Sequence, residues 1–104
     1  MVNNRRKIVL SKHAIERLVE RLPDLDKNQY VMYVSNARYL GETPCKFPKE
    51  TCKYLCSLKQ TRNTIIRVYK GDVFVFRGVG NGHQLVTVFK LKEKYRNDST
   101  NQNQ

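Results

Sequence analysis

His13, Arg17 and Arg21 recur every four residues, the spacing that brings side chains to one side of an α-helix. Histidine exchanges a proton near neutral pH, whereas arginine keeps its charge and binds phosphate oxygens. One proton carrier and two cations on a rigid element suit phosphate binding and general acid–base chemistry. The alternative is a solvated helix face, on which they pair with Glu16 and Glu20.

The element that must position these residues is a helix following a short strand over residues 7–10. Ser11 is a favourable N-cap, so the helix is predicted to begin at Lys12 and to end at Leu22, before Pro23. Its apolar residues share one helix face and are predicted to contact the core: Ile15, Leu18, Val19 and Leu22. Arg21 lies at the flank of this stripe.

Two more helices and three strands are predicted downstream. Asp26, with Gln29 at the spacing of a capping box, begins a helix over residues 27–40 that ends before Gly41. Its predicted buried stripe consists of Tyr30, Val31, Val34 and Ala37. A third helix from Pro48 through Leu58 is the weakest assignment, and a strand over residues 53–59 is its alternative. Strands rich in Val, Ile, Phe and Thr follow at about residues 64–70, 72–77 and 84–91.

The strand register brings further polar residues toward the helices. If Tyr69 pairs with Asp72 and residue 77 with residue 84, one face is the bulkier, and the helices should cover it. Arg67, Phe74 and Thr87 then share one cross-strand row on that face. They mark either the edge of a cleft or, for the arginine, an ion pair with residue 16 or 20. The loop over residues 78–83 is expected to be flexible and to leave His83 exposed. The alternative is that the loop folds over a ligand and makes His83 a second proton carrier.

The predicted fold class is α+β, with two or three N-terminal helices packed on a three- to four-stranded antiparallel sheet. A length of 104 residues fits one domain, assigned to residues 1–92, and residues 93–104 are expected to form a disordered polar tail. No run of apolar residues is long enough to span a membrane, so a soluble cytoplasmic protein without a membrane partner is expected.

The net charge of +11 is the strongest compositional feature. It implies a polyanionic partner, because this much charge repels itself on a small domain. Basic residues interleaved with tyrosines between residues 44 and 70 favour nucleic acid over a merely solvated face or weak attraction to a membrane surface. The predicted nucleic-acid-binding residues are Lys12, Lys46, Lys49, Lys53, Lys59, Arg62, Lys70, Arg77 and Lys90.

Several other kinds of chemistry lack the residues they need. Cys45, Cys52 and Cys56 are an odd number for disulfides and one short of a zinc site, so reduced thiols and no metal or cofactor are expected. The chain contains no serine-hydrolase elbow, zinc-protease motif or carboxylate dyad. Nine carboxylates against twenty cations also disfavour a magnesium-dependent nuclease. RNA cleavage without a metal needs only a base, cations and an acid.

The segment from Ser11 to Arg21, SKHAIERLVER, resembles the S-x-H-A-x-x-R-x-x-x-R opening helix of small phage and bacterial proteins allied to the BrnT and RelE toxins. The segment LVTVF at residues 85–89 resembles a strand near their C-terminus. The resemblance implies a RelE-like, barnase-like fold and metal-independent ribonuclease activity. It covers about half of the chain and singles out His13, Arg17, Arg21, Thr87 and, more loosely, Arg67.

The leading hypothesis is therefore a small RNA-binding domain with RelE-like ribonuclease character. In it His13 acts as acid or base, the three arginines hold the phosphate and Thr87 orients it. One alternative is a non-catalytic phage or bacterial protein that binds nucleic acid or blocks a host enzyme. Another is a basic protein that binds an acidic protein partner, such as an antitoxin.

Overall fold

Short apolar segments separated by capping and turn residues form a four-stranded sheet with helices on both faces. The structure is a computed structural model that describes residues 5–96. Its elements are β1 (Lys7–Leu10), α1 (Lys12–Arg21), α2 (Tyr30–Leu40), α3 (Lys49–Ser57), β2 (Thr64–Tyr69), β3 (Asp72–Val79) and β4 (Gly82–Lys90). The predicted α+β class is confirmed, and the segment at residues 49–57 is helical, so its alternative assignment as a strand is wrong.

The sheet has the strand order β1-β4-β3-β2 and is mixed. The β2, β3 and β4 strands form the predicted antiparallel meander, but β1 pairs with β4 in parallel, with Lys7 opposite Gly82. The prediction of a wholly antiparallel sheet is therefore wrong at this edge. The β4 strand is paired on both sides, and α1 follows β1 directly and packs back over β4.

A β-bulge changes which residues of β4 face the helices. Tyr69 pairs with Asp72 as predicted, and residues 77 and 84 pair as well. Between Val75 and Phe76, however, the register with β4 shifts by one residue. Thr87 consequently pairs with Val75 rather than joining the row of Arg67, so that predicted row is wrong. One extra residue in a strand reverses the faces beyond it.

Each face of the sheet carries its own hydrophobic core. The core under α1 and α2 contains Ile8, Ala14, Leu18, Tyr30, Val34, Ala37, Phe74, Phe76, Leu85 and Val88. The core under α3 contains Leu55, Ile66, Val68, Val73, Val75 and Leu91. Because of the bulge, Phe89 and Leu91 pack on the α3 side rather than under the N-terminal helices.

The first helix is rotated from its predicted orientation. Leu18 is buried and Leu22 half-buried as expected, but Ile15 and Val19 are 36% and 42% exposed. Ser11 explains the rotation, because its hydroxyl accepts from the Ala14 amide at 3.0 Å and donates to the Leu85 carbonyl at 3.1 Å. This contact directs the small alanine onto β4, where it is fully buried.

The second helix also buries most of its predicted stripe. Tyr30, Val34 and Ala37 are buried, whereas Val31 is half exposed, so its assignment to the core is wrong. The capping box of Asp26 and Gln29 is present, with a 3₁₀ turn over Lys27–Gln29 before α2. No helix within residues 5–96 has the length and apolar content needed to cross a membrane.

The glycine-rich segment after β3 is ordered as a tight hairpin. The β3 and β4 strands extend to Val79 and from Gly82, leaving a turn at residues 80–81. Residues 93–96, assigned above to the polar tail, form one helical turn in which Tyr95 stacks on Tyr54 at 4.3 Å between ring centroids. The rest of the predicted tail lies outside the described residues.

Candidate functional site

The residues predicted from α1 do not converge on one another. His13 is exposed in the first turn of the helix. Arg17 forms an ion pair with Glu20 at 2.6 Å, as in the solvated-face interpretation. Arg21 donates to Asp72 at 2.8 Å and 3.2 Å, and this carboxylate is 6% exposed. Arg21 therefore neutralises a buried charge, which is a structural task.

Arg67 and Thr87 lie on opposite faces of the sheet. Arg67 donates from Nη1 to the Ile66 carbonyl at 2.8 Å, and within residues 5–96 it forms no ion pair with Glu16 or Glu20. Thr87 lies on the side covered by α3. The structure thus separates two residues that the sequence had placed across one cleft.

Arg67 instead belongs to a group of cations at the C-terminal end of α2. We name Arg6, Arg38, Arg67 and His83 the arginine–histidine cluster. They come from the segment before β1, the last turn of α2, the middle of β2 and the start of β4. The charges of the three arginines lower the pKa of the histidine.

Local backbone geometry holds the helical side of the cluster against the sheet. A side chain on Gly41 would lie 2.3 Å from the Ala37 carbonyl and 3.0 Å from the Val68 carbonyl, so glycine allows this close approach of α2 to β2. Tyr39 connects the same helix end to β1. Its hydroxyl accepts from the Arg6 amide at 2.7 Å, and its ring lies 4.8 Å from the Arg38 guanidinium carbon.

His83 is the buried proton carrier of this site. The residue is 8% exposed, and within the described residues its Nδ1 and the Arg38 Nε are buried without a hydrogen-bond partner. Burial, followed by the charges of Arg38, Arg6 and Arg67, lowers the pKa of His83 below the ordinary value of 6.5. The imidazole is therefore neutral at pH 7 and able to accept a proton.

Within the part of the chain that the structure describes, the cluster carries positive charge without an ion-paired carboxylate. The pKa values of Arg38 and Arg67 are both lowered, chiefly by burial. Arg38 adds to the lowering at Arg67, whereas at Arg38 the neighbouring Tyr39 opposes it and Arg6 adds a smaller lowering effect. Among residues 5–96 the carboxylate ion pairs are those of Arg17 and Arg21, both outside the cluster. Arg38 and Arg67 are half-buried and Arg6 is exposed, so the arrangement is open to solvent on one side and fits an incoming anion.

Sequence reasoning missed Arg6 and Arg38 and treated His83 as an exposed loop residue. Two signals were available. Arg38 follows Val34 by four residues, so it lies within the apolar stripe of α2, where a charge is unusual. His83 precedes Leu85 by two, so both face the same side once the strand begins at Gly82.

The predicted nucleic-acid-binding residues are all exposed, and they spread over the surface. Arg77 and Lys90 illustrate the spread, because they lie toward opposite ends of the paired β3 and β4 strands. The exposed positions are Lys12, Lys46, Lys49, Lys53, Lys59, Arg62, Lys70, Arg77 and Lys90. They form a broad positive surface rather than a single centre.

The three cysteines are free thiols. Cys45 approaches the Thr43 hydroxyl at 3.1 Å, and Cys52 has a pKa raised by burial and by its neighbour Cys56. Within the described part of the chain, no three histidine, cysteine or acidic residues are arranged to hold a metal ion.

The fold and this cluster define a class: a small α+β domain with a partly buried cationic centre that has no carboxylate ion-paired to it within the described residues. Comparisons of the chain with protein-family models, with curated proteins and with solved structures gave no match.

Proposed function

We propose that the protein binds RNA and that the arginine–histidine cluster holds a backbone phosphate. The observation that carries this proposal is the placement of the half-buried Arg38 and Arg67 near the buried His83, with no carboxylate ion-paired to either arginine among residues 5–96. Guanidinium groups donate several N–H bonds in a fixed plane and are suited to phosphate oxygens. A bound phosphate would offset the repulsion among the three cations.

The surrounding surface favours a polymeric anion over a small phosphate compound. The nine basic residues predicted to bind nucleic acid are exposed outside the cluster, and the chain carries a net charge of +11. An extended polyanion contacts many such charges and releases its counterions on binding. The choice of RNA also rests on the resemblance of the α1 segment to RelE and BrnT proteins, which stays a prediction, as does a RelE-like arrangement of the fold.

Replacing one cluster arginine should weaken RNA binding more than replacing an exposed arginine. Arg38→Met removes a cluster cation, and we expect its dissociation constant for single-stranded RNA to rise about tenfold, equivalent to ~1.4 kcal/mol. Arg17→Met makes the same charge change on the surface of α1, where the guanidinium is paired with Glu20. We expect less than a twofold rise for that variant. Fluorescence anisotropy with a labelled oligonucleotide measures both.

The two variants also separate the competing sites. Equal weakening by both substitutions would show that charge alone matters and that the cluster has no special role. A larger effect of Arg17→Met would show that the RNA-binding site lies on α1 rather than at the cluster. Thermal unfolding of each variant distinguishes lost binding from lost folding.

A second proposal is metal-independent cleavage of the bound RNA, favoured by the neutral imidazole of His83 beside the guanidinium groups. The histidine would accept the proton of a ribose 2′-hydroxyl. That oxygen would attack the adjacent phosphorus, forming a 2′,3′-cyclic phosphate as the bond to the 5′-oxygen breaks, and the leaving oxygen would take a proton from an acid such as the Tyr39 hydroxyl. The arginines would stabilise the charge on the phosphate.

Cleavage assays in EDTA test this step. His83→Gln should lose at least about a hundredfold in rate, as is typical when a general base is removed. His13→Gln is the matched control, because it removes the exposed histidine that the sequence singled out. An RNA with a 2′-deoxy sugar at the cleaved position should resist the wild type. Undiminished cleavage by His83→Gln with loss in His13→Gln would reverse the assignment, and no cleavage by the wild type would leave a protein that only binds.

An acidic protein partner, such as an antitoxin or a host enzyme, would bind the same basic surface. Purification distinguishes it from RNA binding. Co-purification of an acidic protein without nucleic acid would favour a protein partner, whereas a high absorbance ratio at 260 to 280 nm from bound nucleic acid would favour RNA.

A further inference from the structure

A cavity of about 210 Å³ lies on the α3 face of the sheet, away from the arginine–histidine cluster. Its apolar walls include Leu58, Val75 and Phe89. Three threonines, Thr61, Thr64 and Thr87, bring hydroxyl groups to the same space. An apolar cavity with a few polar groups is the usual form of a small-ligand site.

The polar side of the cavity is built before any ligand arrives. The Thr64 residue is 8% exposed, and its hydroxyl accepts from the amides of Gln60 and Thr61 at 3.3 Å and 3.1 Å. These bonds fix the loop between α3 and β2 beside the cavity. Thr87 projects from β4 into the same space because the bulge moved it to this face.

The size and chemistry of the cavity fit one planar heterocycle. An apolar protein cavity of about 150 Å³ is sufficient to hold benzene. The volume here is larger, and hydroxyl groups can meet the hydrogen-bonding edge of a ring whose faces contact the apolar walls. Proteins commonly recognise single-stranded RNA by accommodating an unstacked base in this way.

The position of the cavity relates it to the cluster. Arg77 lines the cavity, and the next residue, Gly78, pairs with His83 of the cluster. The two sites therefore lie on opposite faces at the same end of the β3–β4 hairpin. Arg77 donates to Gln84 at 2.9 Å, which holds its guanidinium on the outer surface of the hairpin.

We propose that this cavity receives one unstacked base of the RNA whose phosphate lies in the arginine–histidine cluster. This inference rests on the proposed RNA binding. Thr61 and Thr87 would bond to the edge of the base, and Arg77 would contact the backbone where it passes around the hairpin. The cavity would thus select which base follows or precedes the bound phosphate.

Ribonucleosides test the cavity separately from the cluster because they carry no phosphate. The full chain, labelled with ¹⁵N, is titrated with adenosine, guanosine, cytidine and uridine, and with ribose as the control. We expect at least one nucleoside to give saturable shifts at the amides of Thr61, Thr64 and Thr87. Thr87→Phe fills the cavity and should raise that dissociation constant more than tenfold, whereas Thr87→Ser keeps the hydroxyl and should change it by less than threefold.

The outcomes separate this inference from the proposed function. Arg38→Met should bind the nucleoside as the wild type does while losing RNA affinity. Nucleoside binding together with unchanged RNA affinity of Arg38→Met would support the cavity and overturn the cluster. No nucleoside shifts, shifts equal to those from ribose, or undiminished binding by Thr87→Phe would overturn the cavity. If Thr87→Phe unfolds, Thr61→Phe fills the same space from an exposed loop and is judged by the same criterion.

Discussion

At the residue scale, His13, which the sequence predicts to be functional, is exposed, whereas His83, which the sequence predicts to be exposed, is buried in the candidate site. His13 lies in a sequence context that resembles a toxin helix, yet it is exposed and apart from the other candidates. His83 lies next to a glycine-rich turn and is buried beside three arginines. The glycine-rich segment predicted a flexible loop, but β3 and β4 leave only a two-residue turn, so His83 lies within β4 and its side chain is buried.

The buried histidine should make folding sensitive to acid. The pKa of His83 in the folded protein lies below 6.5, so the unfolded chain binds the proton first as the pH falls. We expect the free energy of unfolding to be highest above about pH 6.5 and to fall from there toward the lowered pKa. Urea unfolding at a series of pH values measures this loss.

Two substitutions identify the group responsible. His83→Gln should show a smaller acid-side loss than the wild type, whereas His13→Gln retains His83 and should keep the loss that this group causes. An unchanged acid-side slope in His83→Gln would refute the lowered pKa.

At the element scale, the sequence predicted the helices and the hairpin pairing better than the faces of the strands. Ser11 and Gly41 define helix ends through local chemistry, which a single sequence displays directly. The register shift between Val75 and Phe76 leaves no comparable mark, because no glycine or proline stands at residues 74–76 or 85–88 to signal a bulge. It removed Thr87 from the predicted site and placed it in the cavity.

The edge pairing of β1 depends on the absence of a side chain at Gly82. A Cβ atom there would lie 2.5 Å from the Lys7 carbonyl, whereas at Gly78 the nearest contact would be Asn63 at 3.8 Å. We expect Gly82→Ala to lower the free energy of unfolding by about 1–3 kcal/mol, as overpacking does. Gly78→Ala is the matched control and should change it by less than about 0.5 kcal/mol.

Chemical denaturation of the two alanine variants gives both values. Equal stability of the two variants would show that β1 does not approach Gly82 as closely as described. Hydrogen exchange at the amides of residues 8–10 should accelerate in Gly82→Ala if the edge strand is the element that yields.

At the scale of the whole molecule, composition predicted the kind of partner but not the place where it binds. A net charge of +11 indicates a polyanionic partner whatever the fold. The cluster needs residues 6, 38, 67 and 83 to meet, and only the assembled helix and sheet bring them together. The same fold pairs Arg21 with the buried carboxylate of Asp72, so this arginine has a structural role.

Salt dependence should report the number of phosphates that the protein contacts. For single-stranded RNA the slope of log affinity against log salt is about −0.7 for each phosphate neutralised. We expect Arg38→Met to reduce the magnitude of that slope by about 0.7, with Arg17→Met close to the wild type. Anisotropy titrations at several salt concentrations provide the slopes, and an undiminished slope in Arg38→Met would argue against a direct phosphate contact.

The parallel pairing of β1 with β4 also sets the order of events during synthesis. Lys7 leaves the ribosome early, but its partner Gly82 follows only after the helices and two strands have emerged. Until then, the edge strand has no strand to pair with, and closing so long a loop is a slow, entropically costly step. Residues 7–10 therefore lack their strand partner until β4 has emerged, and the cluster is completed only when His83 joins the sheet.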